Sequence, residues 1–546
     1  MRLINTVTGA FEEFIGDNIP PYAILSHTWE GREVSFKDTS DPSCKHQKAY
    51  HKIEKTCQLA AQRDIKYAWV DTCCIDKSSS AELTEAINSM YRWYQRSNVC
   101  FVYLSDLCAT AVLKTALRDC RWFTRGWTLQ ELIAPSNVYF FDQDWNERGS
   151  KQELVGELSN ITGIKIDILR LALPLSSIAI AQRMSWAANR TTTRMQDMAY
   201  CLLGIFDVNM PLLYGEEEKA FRRLQEEIIR SNSDLSIFAW TYPRVSKKVQ
   251  TLDSPVYSGI LAKSPSVFLD CVGLEKRLGH DWREVSSLNG GIKTQVQILS
   301  EPIPGKRGTR YLFPLDYSRE PGQLLAVRLR KCGPDKFIRD DPWTLVEYAE
   351  DLWANARKDR CLLFELPQVS RSPQTPYSSM SSLISQTRAH VLQIQLPPEI
   401  EIHDTWPWDR CFDAQDQLFF GSGDVRWDSG AMRLMTEFIF ESVRRETKVQ
   451  FECMLYAVGW SSPEIGDLQC TIMLYDAHAA ALKDLQSRIA AWDHTRPQVV
   501  AQLVYYNIPK TSAAVFKIPK STASVVISFT PKYFNRRSGL SRQQRW

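Results

Sequence analysis

The segment Arg121–Pro135 of this 546-residue chain places Trp127 and Glu131 one helical turn apart. A carboxylate such as Glu131 suits cleavage of an N-glycosidic bond, because it can stabilise an oxocarbenium-like transition state and orient a ribose hydroxyl. A tryptophan can stack on a base or on a nicotinamide ring. The candidates for this role are Trp29, Trp127 and Trp145.

Glu131 also has a simpler interpretation. It can pair with Arg121 or Arg125 near the start of a helix, where the helix dipole stabilises carboxylates. Residue types alone favour this structural pairing over catalysis. The position of Glu131 in the fold must therefore decide between the two.

A second candidate site is a nucleophilic pair. Cys73 and Cys74 follow one predicted strand and His27 ends another, so a Cys–His pair across neighbouring strand ends is geometrically feasible. The flanking residues are apolar and no definite third group is present. These features favour two small, inert thiols.

Common phosphate-binding, metal-binding and serine-nucleophile motifs are absent from the sequence. GxxxxGK[ST], GxGxxG after the first strand, HExxH and GxSxG do not occur, and the 14 cysteines lack CxxC spacing. Asp71, Asp76 and Asp106 could hold a cation, but carboxylates at strand ends more often cap helices or bind loop amides. We predict no metal and no cofactor.

The composition is that of a folded protein, with 44% hydrophobic and 24% charged residues. A net charge of +3 is too close to balance to indicate binding to nucleic acid or to an anionic membrane. Acidic residues interrupt the N-terminus where a secretory signal needs apolar ones, and no run approaches about 20 uncharged apolar residues. We expect a cytoplasmic protein with reduced thiols, no membrane span and no nucleic-acid partner.

Strands and helices alternate in the first part of the chain. The predicted strands are Tyr22–His27, Tyr67–Asp71, Val99–Ser105 and Asn137–Phe141. Helices are predicted within Lys45–Asp64, after the capping box that begins at Ser79, and over Trp127–Ala134. Near-continuous apolar strands in this order predict an α/β, flavodoxin-like parallel sheet, whose carboxyl strand ends would form the ligand site.

The rest of the chain divides into regions that differ in their predicted secondary structure. We predict an α/β core over residues 1–150, a helical extension over 151–242, a β-rich unit over 255–366 and a β-rich unit with one helix over 386–546, separated by the linker Pro367–Ser385. The extension is expected to contain helices Ile178–Ala188, Arg194–Gly204 and Glu216–Ser231. Its charged residues Arg183, Arg190, Arg194 and Asp197 are expected to form an internal Arg–Asp network.

Long motifs in the first 240 residues resemble the fungal heterokaryon-incompatibility (HET) domain family. They are YAILSHTW, YAWVDTCCIDKSSSAELTEAINSMYRWY, WFTRGWTLQELIAP and TTRMQDMAYCLLGIF. Gln196 and Glu217 depart from the family pattern, and both lie in the extension. The HET domain in turn resembles Toll/interleukin-1 receptor (TIR) domains, in which the Glu of the motif matching WTLQEL is the catalytic residue for NAD⁺ cleavage in the enzymatic members; it matches Glu131.

The resemblance implies a protein of heterokaryon (vegetative) incompatibility and programmed cell death. It implies NAD⁺ as a substrate, Glu131 as the catalytic residue and self-association through the HET domain. Ser26, His27, Trp29, Asp71 and Trp127 would shape the pocket, and the β-rich half would bind an unidentified protein partner. A non-enzymatic adaptor, a Cys–His hydrolase and a role in another pathway, such as one linked to specialised metabolism, remain alternatives.

Overall fold

A computed structural model of the chain describes residues 1–243 apart from Asp17, most of residues 257–349 and, beyond these, little more than the backbone of separate strands. The N-terminal part forms a seven-stranded sheet in the order β2-β1-β4-β3-β5-β6-β7. Its strands are β1 Arg2–Asn5, β2 Phe11–Glu13, β3 Tyr22–His27, β4 Tyr67–Trp69, β5 Val99–Tyr103, β6 Val138–Phe141 and β7 Glu147–Ser150.

The centre of this sheet is parallel. Strand β3 pairs in parallel with both β4 and β5, and β5 pairs in parallel with β6. Across the sheet the parallel strands lie in the order β4, β3, β5 and β6, which are the second, first, third and fourth parallel strands along the chain. This is a flavodoxin-like order, and it confirms the predicted parallel core. All six residues of β3 are buried, as expected for a strand covered on both faces.

Helices connect and cover the parallel strands. Ser79 caps α3 by accepting a hydrogen bond from the Glu82 N–H, as the sequence predicts. Among the described residues no helix is long and apolar enough to cross a membrane. The helices are α1 Tyr50–Ala61, α2 Asp71–Cys74, α3 Ser80–Arg96, α4 Leu113–Ala116, α5 Thr128–Ile133, α6 Val155–Thr162, α7 Ile166–Leu169, α8 Ile180–Ser185, α9 Asp197–Tyr200, α10 Leu203–Phe206 and α11 Lys219–Ser231.

Two features of this part were not predicted. The sheet has antiparallel edges, β1–β2 on one side and β7 on the other; these strands are short and mixed in polarity, so they carry no clear period. The predicted helix Arg194–Gly204 is wrong as a single element, because it divides into α9 and α10. Gly204 packs so closely on α3 that an added Cβ would lie 2.0 Å from Cβ of Tyr91.

The second half is rich in β-structure, as predicted, and most of its strands pair antiparallel. The helix predicted within 386–546 and the linker Pro367–Ser385 lie outside the described residues. The strands are β8 Tyr257–Ser258, β9 Glu275–Lys276, β10 Val285–Leu288, β11 Gly291–Thr294, β12 Leu299–Pro302, β13 Thr309–Pro314, β14 Tyr317–Ser318, β15 Gln323–Gly333, β16 Lys336–Asp340, β17 Val346–Ala349, β18 Cys361–Phe364, β19 Val391–Gln395, β20 Glu401–Trp406, β21 Phe412–Asp413, β22 Leu418–Phe420, β23 Gly430–Ser442, β24 Arg445–Val458, β25 Gln469–Leu474, β26 Lys510–Thr511, β27 Ala523–Val526 and β28 Phe529–Thr530.

The helical extension and the second sheet share a core. Arg339 on β16 is fully buried and donates hydrogen bonds to the carbonyls of Phe238, at 2.8 Å, and Trp240. Its guanidinium also lies 3.8 Å from the centre of the Trp240 ring. On α11, the Gln225 side chain pairs with both the N–H and the carbonyl of Ala262. These contacts tie Phe238 and Trp240 to β16, and α11 to Ala262.

We expect Arg339→Ala to lower the free energy of unfolding by about 3 kcal/mol, because two buried carbonyls lose their donor. Urea denaturation of the full-length chain measures this loss. The control is Arg310→Ala in the same sheet, which removes a half-exposed pair with Glu301 at 3.9 Å and should cost at most about 0.5 kcal/mol. Equal losses in the two variants would contradict the assignment of Arg339 as the buried link.

Candidate active site

Glu131 lies on α5, a short helix whose six residues are all buried. Lys151, itself buried, caps the C-terminal end of this helix by donating to the carbonyls of Leu132 and Pro135. The Glu131 side chain is 7% exposed, and its Oε2 accepts a hydrogen bond from the hydroxyl of Ser26. Because Ser26 lies near the end of β3, Glu131 faces the carboxyl edge of the parallel strands.

Trp122 fixes the direction of the hydrogen bond between Ser26 and Glu131. The indole N–H of Trp122 donates to Ser26 Oγ at 2.8 Å, and both residues are fully buried. An indole can only donate, so the Ser26 oxygen accepts from Trp122 and its own proton points to Glu131. The Thr128 hydroxyl, on the first turn of α5, donates to the Trp122 carbonyl at 2.6 Å. Trp122 therefore links the strand end to the helix that carries Glu131.

Burial dominates the electrostatics of Glu131 and raises its pKa to about 8. The hydrogen bond from Ser26 and the charge of Arg190 act in the opposite direction, whereas the charge of Asp71 raises the pKa further. At neutral pH the free protein thus holds Glu131 largely protonated. A cationic ligand beside the carboxyl would favour its ionised form.

A second group of polar side chains surrounds Asp71, which begins α2 just beyond β4. His27 Nε2 and Trp29 Nε1 each lie 3.1 Å from an Asp71 oxygen, and Lys77 Nζ lies 3.6 Å away. Lys52 Nζ donates to His27 Nδ1 at 3.2 Å, so His27 carries its proton on Nε2 and donates it to Asp71. These side chains join the ends of β3 and β4 in one network.

The pKa of Asp71 is lowered although burial acts to raise it. The Lys77 charge and the hydrogen bonds from His27 and Trp29 outweigh the cost of burial. Asp71 is therefore ionised where Glu131 holds its proton. Two nearby carboxyls with pKa values moved in opposite directions are characteristic of sites that perform acid–base or charge-stabilising chemistry.

Four of the five predicted pocket residues lie together in the structure, and the fifth, Trp127, lies elsewhere. Ser26, His27, Trp29 and Asp71 all lie at the carboxyl ends of β3 and β4, and Trp29 is 53% exposed beside them. Trp127 instead lies close to Asp197 of the helical extension and acts to lower the pKa of that carboxyl. Trp145, the other stacking candidate, packs face to face on Tyr103 at 4.3 Å.

The structural pairing of Glu131 with an arginine does not occur. Arg121 binds Glu30 at 2.7 Å and Asp106 at 3.1 Å, and Arg125 donates to Thr193 at 3.0 Å. The three aspartates considered for a cation face separate partners. Among the described residues no group of three or more His, Cys, Asp or Glu side chains is arranged to hold a metal ion.

The Cys–His pair is not assembled either. Cys73 belongs to the short helix α2, and its sulfur lies 3.8 Å from the Val70 carbonyl. Hydrogen bonding with Cys74 and burial raise the pKa of the Cys73 thiol well above its ordinary value. The two ring nitrogens of His27 are engaged by Asp71 and Lys52. This geometry supplies neither a thiolate nor a base beside it.

We expect Ser26→Ala to lower the free energy of unfolding by about 2 kcal/mol, because Trp122 and Glu131 both lose a buried hydrogen-bond partner. Denaturant unfolding of the full-length chain measures the effect. The matched control is Ser105→Ala, just beyond the neighbouring strand, where an exposed hydroxyl donates to Glu30; this change should stay within about 0.5 kcal/mol. A loss as small for Ser26 as for Ser105 would show that the buried link is not formed.

Comparison with known families agrees with the motifs. Residues 22–116 match the family "Heterokaryon incompatibility protein (HET)", and residues 219–273 match a domain of unknown function, DUF8212. Residues 22–116 of the chain therefore match the HET domain family. The HET match includes the residues of β3, β4 and α2 that surround Asp71, and it ends before Trp122 and Glu131.

A relative extends the likeness beyond this range. The chain is 48% identical over 240 residues to "Vegetative incompatibility protein HET-E-1" of Podospora anserina. The aligned region is 42% of this chain but only 18% of the relative, so most of that protein has no counterpart in the alignment. No solved structure matches the chain.

Proposed function

We propose that this HET-domain protein acts in heterokaryon incompatibility and programmed cell death by hydrolysing NAD⁺, with Glu131 as the catalytic residue. The observation that carries the proposal is the burial of Glu131 against Ser26 at the carboxyl edge of the parallel strands. The named function of the Podospora relative supports the biological part. We place the protein in the cytoplasm, where NAD⁺ is available.

The position of the site fits a nucleotide ligand. The chain order reverses between β3 and β5, which are neighbours in the sheet although β4 lies between them in sequence. Ligands of open α/β sheets bind outside the carboxyl ends of the strands at such a reversal. Ser26 lies on β3 at this point, and Glu131 reaches it from the connection between β5 and β6.

The proposed reaction is hydrolysis of the nicotinamide–ribose bond. The bond between C1′ and the ring nitrogen breaks, and its electron pair neutralises the pyridinium ring as nicotinamide leaves. Water forms the new C1′–O bond and releases one proton, so that ADP-ribose is the second product. The ionised Glu131 carboxylate stabilises the positive charge that develops on the ribose.

The second carboxyl and its neighbours complete the pocket in this proposal. Asp71 is held ionised and is oriented by His27 and Trp29, so it can accept a hydrogen bond from a ribose hydroxyl. Trp29 exposes half of its surface and offers a ring for stacking, with Lys77 Nζ 3.7 Å from the ring centre.

One observation favours a non-enzymatic adaptor as the second candidate. Because the free protein holds Glu131 largely protonated at neutral pH, the carboxylate needed for catalysis is scarce in the isolated chain. We propose that self-association through the HET domain, together with the cationic nicotinamide ring of the substrate, produces the active form. In the adaptor alternative the same self-association recruits a protein partner of the β-rich half without chemistry.

A concentration series separates the two candidates. Purified full-length chain is incubated with NAD⁺ over a range of protein concentrations, and nicotinamide is quantified by chromatography. We expect nicotinamide release per protomer to rise with protein concentration, because assembly completes the site. Protein that self-associates, as judged by light scattering, yet releases no nicotinamide at any concentration would favour the adaptor.

A further inference from the structure

We infer that Arg190 is a positioning residue for Glu131: it fixes the first turn of α5 and supplies a buried positive charge to the carboxyl. The role of that carboxyl in catalysis rests on the proposed function, but the influence of Arg190 on it does not. Arg190 belongs to the helical extension, so this inference gives the extension a part in the site of the α/β core.

The geometry of Arg190 fixes the start of α5. Arg190 is buried, and its guanidinium donates to the carbonyl of Arg125 and to the hydroxyl of Thr128, both at 2.9 Å. Its Nε donates to the Trp186 carbonyl at 3.2 Å, which anchors the side chain to the segment after α8. Thr128 lies three residues before Glu131, so the two side chains are neighbours on the helix surface.

The next residues of the extension run alongside the same segment. Thr191 donates its N–H to the Thr124 carbonyl at 2.7 Å and accepts from the Gly126 N–H at 2.9 Å. A Cβ at Gly126 would lie 2.6 Å from the Thr192 side chain, so a larger residue would push the two segments apart. The extension therefore holds the turn from which α5 begins.

The predicted Arg–Asp network is not what the structure shows. Arg183 donates to the Ile205 carbonyl, and Arg190 donates to carbonyls and a hydroxyl. Asp197 accepts from the hydroxyl of Tyr214 at 3.2 Å. The charge of Arg190 is thus not neutralised by a directly bonded carboxylate, and it acts on Glu131 through the protein interior, where screening by water is weak.

Side chains on several other elements face Glu131 and influence its pKa. These groups are Ser26 on β3, Asp71 on α2, Tyr94 on α3, Cys100 on β5 and Cys201 next to α9. Burial lowers the pKa of Arg190 to about 10, so Arg190 still carries its charge at neutral pH. Asp71 and Arg190 are then the opposing charges that act on the pKa of Glu131 in addition to its burial.

The test measures the titration of Glu131 without relying on turnover. The free energy of unfolding is followed from pH 5 to pH 9 for each protein and for the same protein carrying Glu131→Gln, and the difference reports the titration of Glu131 alone. Arg190→Met should move this titration to higher pH by about one unit, which is a tenfold change in the ionised fraction at neutral pH. Arg190→Lys, which keeps the charge, should restore most of the original profile.

Arg183→Met is the matched control. Arg183 is a second buried arginine of the extension, on α8, and it contacts Phe206 and the Ile205 carbonyl. Its removal should reduce stability without moving the Glu131 titration. If Arg190→Met does not fold, Arg190→Gln gives the same readout while keeping polar contacts. Equal titrations of Glu131 in the Arg183 and neutral Arg190 variants would overturn the inference.

Turnover is measured in parallel to keep the two proposals apart. In an active protein, Arg190→Met should lower kcat/KM at pH 7 about tenfold and shift its pH profile in step with the titration. A shifted titration in a chain that releases no nicotinamide would support the role of Arg190 and count against the proposed function. Nicotinamide release together with an unmoved titration of Glu131 would support the proposed function and count against the role of Arg190.

Discussion

Glu131→Gln is expected to reduce nicotinamide release from NAD⁺ by about a thousandfold. Gln keeps the size of Glu131 and can still accept the hydrogen bond from Ser26, so the fold should survive. It cannot carry the negative charge that stabilises the oxocarbenium-like transition state. Turnover is measured on purified full-length chain at equal concentrations of folded protein.

Two further variants sharpen this prediction. Glu131→Asp retains the charge but shortens the side chain, and it should fall between the wild type and Glu131→Gln. Cys73→Ser removes the thiol of the rival Cys–His mechanism at a position where the structure shows no pairing with His27, so turnover should be unchanged. Loss of activity in Cys73→Ser with full activity in Glu131→Gln would reverse the assignment.

The second large effect concerns stability and pH. Burial raises the pKa of Glu131 from its ordinary 4.5 to about 8, so the folded chain keeps a proton that the unfolded chain has lost between these values. The stability due to this proton is fully present below pH 4.5 and is lost as the pH rises through 8. At about 1.4 kcal/mol per pH unit, the loss approaches but does not exceed about 5 kcal/mol.

Comparison of the wild type with Glu131→Gln isolates the contribution of Glu131 to the pH dependence of stability. Gln does not titrate, so the unfolding free energy of the variant relative to the wild type should increase from pH 5 to pH 9. Asp71, whose pKa is lowered, contributes stability that is lost only in acid and is common to both proteins. Urea denaturation at each pH measures the difference. A difference that stays constant from pH 5 to pH 9 would show that Glu131 is not desolvated.

The parallel core and the general position of the site could be predicted because their signals are local. Strand β3 is a continuous apolar run, and capping by Ser79 marks the next crossover helix. Topology then requires the carboxyl ends of the strands to meet at one edge. The placement of Ser26, His27 and Asp71 at one edge follows from this rule rather than from any property of the residues alone.

The contacts that define the environment of Glu131 could not be predicted in the same way. Trp122 and Ser26 are 96 residues apart in sequence, and Arg190 and Thr128 are 62 apart. No local sequence pattern distinguishes Trp122 and Arg190 from the other tryptophans and arginines of the chain. The Arg–Asp network was expected because opposite charges in one segment favour pairing; the buried arginines instead satisfy main-chain carbonyls freed at helix ends.

The most direct test is nicotinamide release from NAD⁺ by the full-length chain and by Glu131→Gln, measured from pH 6 to pH 9. Because kcat/KM reports the ionisation of the free enzyme, that of the wild type should rise with pH and level off above about pH 8, while the variant stays near background throughout. No release by the wild type at any pH, or equal release by both proteins, would contradict NAD⁺ cleavage by Glu131.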